Sequence, residues 1–218
     1  VAWLFYGVFV IAGLWYAPRN VPAKLAKFEP AAASIVQMDA SHWWQAGWRE
    51  LPARRNDFDD DQRWPLDVQV AGPLPALQQQ LERNGWNRQP QAGWQQALMM
   101  LDMKATPQQV PVLPATLDTN VEALLMLRPG ERPDEVYALR LWPSSARLQP
   151  GQAPVWLGSA QTLRYQRHLK LFGMWRPLRG VDPALDALKQ SLDGVETQQQ
   201  VQPETGLPLL MIRAEPTP

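Results

Sequence analysis

ALLMLRPGERPDEVYALRLWPSSARLQPGQAPVWLGSAQTLRYQRHLKL (Ala123–Leu171) is the stretch from which the fold class follows. Three strand-like runs, Ala123–Leu127, Val136–Trp142 and Val155–Ala160, are divided by the turn dipeptides Pro129-Gly130 and Pro150-Gly151. Thr162–Leu171 then alternates with period two. Leu163, Tyr165, Leu169 and Leu171 point one way; Thr162, Arg164, Gln166, His168 and Lys170 point the other. Parallel βαβ winding needs a helix between successive strands, and the spacing leaves no room for one. The class is therefore α+β, with a mostly antiparallel sheet.

Outward from this block, the patterns predict about three packed helices. Pro73–Trp86 carries Leu74, Leu77 and Leu81 on one face and stops at Gly85, where a left-handed cap is expected. Trp94, Ala97, Leu98 and Leu101 repeat the i, i+3, i+4, i+7 spacing of a second helix with a buried face. A third begins with Asp182 as N-cap and Pro183 at the first helical position, buries Leu185, Leu188 and Leu192, and ends at Gly194. Leu66–Val70 alternates as a half-exposed strand, and Glu196–Val201 with Leu207–Arg213 forms a final strand pair.

The other end of the chain has a different character. VAWLFYGVFVIAGLWYA (Val1–Ala17) is seventeen residues without a charge, ending at Pro18-Arg19-Asn20. As a helix it spans roughly 26 Å, near the thickness of a bilayer's hydrocarbon core. Trp3 and Trp15-Tyr16 fit the aromatic belts of the two interfaces, and no basic start or small-residue cleavage site marks a signal peptide. The expected organisation is a transmembrane helix over 1–17, a juxtamembrane connector over 18–41 and one extramembrane globular domain over 42–218. The chain has no initiating Met, which suggests the tail of a longer protein. Arg19, Lys24 and Lys27 beside the span favour a cytoplasmic flank.

Composition narrows the function. Lys+Arg and Asp+Glu both total 21, which removes the electrostatic footprint of a nucleic-acid binder. With no Cys, disulfides, thiolate metal sites and a Cys nucleophile are excluded. The 22 prolines imply many short elements joined by rigid turns, and the 11 tryptophans need a sizeable core or an amphipathic surface near lipid.

Candidate reactive residues are few. His42 and His168 are the two histidines, and both read as solvated surface groups. Asp57, Asp59, Asp60 and Asp61 lack the Gly and distal Glu of an EF-hand loop and read as an acidic turn. Ser159 lies in VWLGSA, without the G-x-S-x-G of a nucleophile elbow, and reads as strand. No phosphate-cradling loop, zincin helix or dinucleotide fingerprint is present, so no catalytic residue, metal ligand or cofactor is assigned. The cluster HWWQAGWRELPARR (His42–Arg55) has two open readings. Trp43, Trp44 and Trp48 with Arg54 and Arg55 form either a lipid- or partner-contacting segment, or core packing followed by a solvated Arg pair.

Five blocks together resemble the LssY C-terminal domain family: AGWRELPARRNDF (Ala46–Phe58), LDVQVAGPLPALQQQLERNGW (Leu66–Trp86), PVLPATLDTNVEALLMLRP (Pro111–Pro129), LRLWPS (Leu139–Ser144) and PVWLGSA (Pro154–Ala160). The resemblance runs over roughly residues 43 to 172. In that family the domain commonly follows a type 2 phosphatidic acid phosphatase membrane domain, often with a DedA-like membrane domain ahead of it. It implies a bacterial inner-membrane lipid phosphatase acting on undecaprenyl diphosphate or phospholipid phosphates. The phosphatase motifs K-x₆-R-P, P-S-G-H and S-R-x₅-H-x₃-D find no place here, so the resemblance carries over no catalytic residue. By that phosphatase domain's helix count, one more span delivers this domain to the periplasm, against the weaker hint of the juxtamembrane bases. Three roles are then expected: a non-catalytic accessory or regulatory domain covalently linked to the phosphatase, an envelope protein-interaction domain, or a hydrolase using the Asp run with a histidine.

Overall fold

The computed structural model describes residues 35–56, 63–102, 104–118, 120–168, 172–178 and 182–214. The apolar run 1–17, most of the connector and the aspartate run therefore lie outside the described residues. Among the described residues no helix is long and apolar enough to cross a membrane. The stretch read as connector already contains a strand, β1 (Val36–Asp39), so the sheet begins before residue 42.

Asp39 ends β1 and caps α1 (Ala40–Gln45), its carboxylate accepting from the Ser41 and His42 amides. A 3₁₀ turn, Gly47–Glu50, leads to the ribbon β2 (Arg54–Asn56) and β3 (Arg63–Pro65). β4 (Val68–Ala71) and α2 (Leu74–Arg83) follow, then β5 (Asn87–Arg88) and the single turn α3 (Trp94–Ala97). A second ribbon pairs β6 (Thr116–Leu117) with β7 (Asn120–Val121). The large strands are β8 (Leu124–Pro129), β9 (Glu135–Gln149), β10 (Ala153–His168) and β11 (Phe172–Pro177). α4 (Pro183–Gln190), β12 (Glu196–Val201) and β13 (Pro208–Arg213) complete the order.

Nine strands form one sheet in the order β12-β13-β4-β10-β9-β8-β5, with β1 on β9 and β11 on β10. The antiparallel expectation is met at every pair but two. β13 runs parallel to β4, and β1 runs parallel to β9, so the sheet is mixed. The segments Val155–Ala160 and Thr162–Leu171, expected as separate strands, are one strand up to His168. Leu169–Leu171 lie outside the described residues.

Period two along these strands sorts the core onto two faces. Val68, Val70, Met126, Leu139, Leu141, Leu210 and Ile212 face one way. They are covered by Leu77 and Leu81 of α2 and by Ala184, Ala187 and Leu188 of α4. Gly85 and Gly194, at φ +82° and +78°, end the two helical segments as expected. Trp86 Nε1 donates to Ser191 Oγ at 2.9 Å, and Asn84 Nδ2 donates to the Ser191 carbonyl at 3.1 Å, tying the two helix ends together.

The opposite face carries two apolar clusters. One gathers Trp43, Trp48, Leu51, Trp142, Leu157, Leu209 and Met211. The other gathers Val112, Leu125, Ala138 and Leu163, with Trp175 packed on them. This corrects the half-exposed reading of Leu66–Val70. β4 sits in mid-sheet with both faces covered, and Gln69 is buried because its amide is used twice. Its Oε1 accepts from Trp43 Nε1 at 3.0 Å and its Nε2 donates to the Trp48 carbonyl at 3.1 Å.

The second predicted helix also differs. Its α-turn tightens to 3₁₀ over Leu98–Leu101, which places residues three apart on one side. Leu98 and Leu101 are consequently 53% and 62% exposed rather than buried.

β10 changes partner along one of its sides, from β4 at Val155–Gly158 to β11 at Leu163–His168. Two carboxylates fill the gap. Asp67 accepts from the Ala160 amide at 2.8 Å, and Asp182 accepts from the Thr162 amide at 2.8 Å while also capping α4. Burial pushes the Asp67 carboxyl up to about 8, aided by the nearby Asp182 charge and opposed by the Ala160 hydrogen bond.

Two predictions follow from this packing. Trp48 is 0% exposed, so Trp48→Ala should cost about 3–5 kcal/mol in urea unfolding; a loss below about 1 kcal/mol would contradict its place in the core. The raised Asp67 carboxyl makes the folded state bind a proton that the unfolded chain has already released. Stability contributed there falls steadily as pH rises from about 4 to about 8 and then levels. Asp67→Asn keeps an acceptor for Ala160 without a titrating group. Its stability relative to the parent should therefore improve from pH 5 to pH 8.5, and a pH-independent difference would contradict the assignment.

Candidate functional site

Between the two clusters of the second face lies a cleft of about 360 Å³. Five side chains define its chemistry: Arg55 on β2, Trp64 on β3, Arg140 on β9, Gln161 on β10 and Trp175 on β11. Arg55 and Trp64 are opposite one another in the β2–β3 ribbon, which makes one wall. Arg140 and Gln161 project from neighbouring central strands on the same face as Ala138 and Leu163.

The segment 110–116 crosses the sheet here and is fastened at four points. Trp175 Nε1 donates to the Val110 carbonyl at 2.9 Å, and Arg140 Nη2 donates to the Leu113 carbonyl at 2.9 Å. Trp142 Nε1 donates to the Ala115 carbonyl at 3.0 Å, and the Arg55 guanidinium reaches the Thr116 carbonyl at 3.5 Å. Arg55 also lies over the Trp142 ring, 5.5 Å from its centroid. Glu122 completes the strap: its Oε1 accepts from Arg140 Nη1 at 2.7 Å and its Oε2 accepts from the Ala115 amide at 2.7 Å. Both members of that ion pair are buried.

Among the described residues the cleft's lining holds no carboxylate, and its two inward guanidinium groups are engaged, Arg55 on the Thr116 carbonyl and Arg140 on Glu122 and the Leu113 carbonyl. Arg176 borders the rim, but it is the register partner of Arg164, so its exposed side chain projects from the opposite face of the sheet. Gln161 is 8% exposed, and its amide has no protein partner among the described residues.

The residues singled out from the sequence are dispersed. Trp43 and Trp48 have no exposed surface in the folded domain, so neither ring is available to lipid or to a partner. Their burial follows from the closure of the Gln69 amide against them. Trp44 is half-buried, with the Arg213 guanidinium 4.3 Å from its ring centroid. Arg54 faces Glu204, with Nε 3.4 Å from its carboxylate. Only Arg55 belongs to the cleft. His42 meets Glu50 at 2.9 Å in the α1 region, whereas His168 stacks on Phe172 at the far end of β10. Ser159 is buried mid-strand. Among the described residues no three His, Asp or Glu side chains are grouped as metal ligands would be.

A family model described as LssY C-terminus matches residues 48–203, which takes in every wall of the cleft. The chain belongs to the LssY C-terminal family. The match begins at Trp48 and runs through α4 to β12, further than the sequence resemblance reached. No curated protein and no solved structure matches the chain. Within this LssY C-terminal domain, Arg140 and Gln161 were not singled out from the sequence. The one available signal was Arg140 itself, a charge at an inward position of the apolar run VYALRLW.

The buried pair that anchors the strap gives a direct test. Arg140→Leu strands the Glu122 carboxylate and should destabilise the domain by about 3–5 kcal/mol in urea unfolding. Adding Glu122→Gln should restore part of that loss. A double-mutant cycle without coupling between the two positions would contradict the pairing.

Proposed function

We propose that this LssY C-terminal domain is a non-catalytic accessory and regulatory domain of a bacterial inner-membrane lipid phosphatase. The phosphatase acts on undecaprenyl diphosphate or a phosphatidate-type lipid. In this reading Val1–Ala17 is a single-span anchor, the globular domain lies in the periplasm, and a covalently linked membrane domain supplies the reacting groups.

The observation that carries the reading is the match to the LssY C-terminal family over residues 48–203. Phosphoryl transfer through a His nucleophile needs a second acid–base group and cationic clamps on the same phosphate. Here Arg55 and Arg140 fasten the strap, while His42 and His168 are engaged elsewhere, on Glu50 and Phe172. Coupling to an envelope protein is the second reading. It draws on β12, which has β13 on one side and no strand on the other among the described residues.

The full chain in detergent should release no phosphate from undecaprenyl diphosphate or phosphatidate, with or without divalent metal. Turnover that disappears in His42→Ala or His168→Ala would overturn the accessory reading and make the chain an enzyme.

A further inference from the structure

We propose that β12 is a self-association edge: two copies of this domain pair β12 with β12, antiparallel about a two-fold axis at Gln200, and so join their sheets. This gives to a second copy of the chain the edge that an envelope protein would otherwise take, and it does not rest on the accessory role.

The outer backbone of β12 is open. The Gln202 amide donates to the Leu207 carbonyl at 2.9 Å, which fixes the alternation along the β12–β13 pair. Glu196, Gln198 and Gln200 therefore turn their backbone groups toward β13, while Thr197, Gln199 and Val201 turn theirs outward. Among the described residues no strand meets that outer row. Edge strands are commonly guarded by Lys, Pro or a bulge. β12 has none of the three. Its register with β13 is unbroken, and its one charge, Glu196, is taken by Arg213 at 2.9 Å. Val201 stands on this edge 65% exposed, more than any other large apolar side chain among the described residues.

The choice of occupant comes from two orphaned amide atoms. Gln198 Oε1, an acceptor, and Gln202 Nε2, a donor, are both shielded from solvent and both lack a hydrogen-bond partner among the described residues. Such atoms are rare in folded proteins, because each forfeits the hydration it had in the unfolded chain. The two lie on one face of the strand but four residues apart, about 13 Å, so they do not meet within one copy. Antiparallel pairing about Gln200 sets Gln198 of each copy opposite Gln202 of the other. These are non-hydrogen-bonded positions, where Cα atoms approach to about 4.5 Å and side chains lie closest. The two-fold axis thus matches the missing donor to the missing acceptor twice. In the same register Gln199 and Val201 exchange backbone N–H···O bonds with Val201 and Gln199 of the second copy. Pro203, with no amide to give, ends the ladder on either side. The resulting contact is isologous and closes on itself.

The paired strands are short, so the association is expected to depend on concentration, and the test uses the full chain in detergent. Because the chain has no Cys, single cysteines report the register directly. Gln200→Cys sits on the two-fold axis, at a Cα separation within disulfide range, and should form a linked dimer on mild oxidation. Thr197→Cys, about 20 Å from its own copy in that register, should not.

Sedimentation equilibrium of the unmodified chain should show monomer and dimer in exchange. Val201→Lys sets an ammonium near Lys189 of the second copy, since Lys189 Nζ donates to Gln199 Oε1 at 3.0 Å. It should weaken the dimer by about tenfold or more. The melting temperature should not move, because Val201 is exposed. A monomer at every concentration would overturn the proposal and leave the edge to an envelope protein. A dimer that Val201→Lys leaves intact would overturn it in favour of association through the apolar run 1–17. Cross-linking of Thr197→Cys as strong as that of Gln200→Cys would overturn it as well.

Discussion

The constraint on which this structure turns is the change of partner along β10. One side of the strand follows β9 for nearly its whole length, while the other must serve β4 and then β11. Between them the Ala160 and Thr162 amides face a gap, and an unpaired buried amide costs roughly 1–3 kcal/mol. Two short carboxylates solve this from opposite directions in sequence, Asp67 arriving before β4 and Asp182 before α4. Because each is fixed in place by the strand it serves, they also set where β4 begins and where α4 docks. The cost of bringing two carboxylates together in a poorly solvated place falls on Asp67, which holds its proton far above the usual range.

Local patterns told the truth wherever the answer was local. The Leu77–Leu81 face, the Gly85 stop, the Asp182-Pro183 start and the strand pair expected at 196–201 and 207–213 all formed, the last strand starting one residue later at Pro208. What was hidden depended on distant partners. Gln69 looks like the exposed half of an alternating strand, and only Trp43 and Trp48, more than twenty residues earlier, make it a buried one. The sequence divides β10 at Gln161, where the apolar run 155–160 gives way to the alternation of 162–171, yet the strand continues through Thr162, which Asp182 holds. Leu98 and Leu101 were misplaced because a helix that tightens by half a residue per turn carries its later side chains to another face.

The candidate site has the same origin. Its five defining residues come from five strands, spread from Arg55 to Trp175, and no two of those strands contribute a recognisable spacing. A motif search sees nothing because there is no loop that cradles the ligand. The concavity arises where the two apolar clusters of one sheet face fail to meet, and the strap 110–116 closes it from above. Glu122 is what lets a guanidinium stand there at all: without a buried counter-charge, Arg140 at the centre of the sheet would be unaffordable.

The position of β13 bears on how the molecule is made. The segment Pro208–Arg213 is no edge strand: it lies between β12 and β4 and contributes Leu209 and Met211 to one core and Leu210 and Ile212 to the other. A nascent chain emerging at about 5–20 residues per second has β8 through β11 free to pair long before that strand exists. Until it arrives, the outer edge of β4 is a row of open amides and carbonyls with apolar side chains above and below. The biosynthetic interval between β11 and β13 is therefore the period in which the β4 edge is open to mispairing.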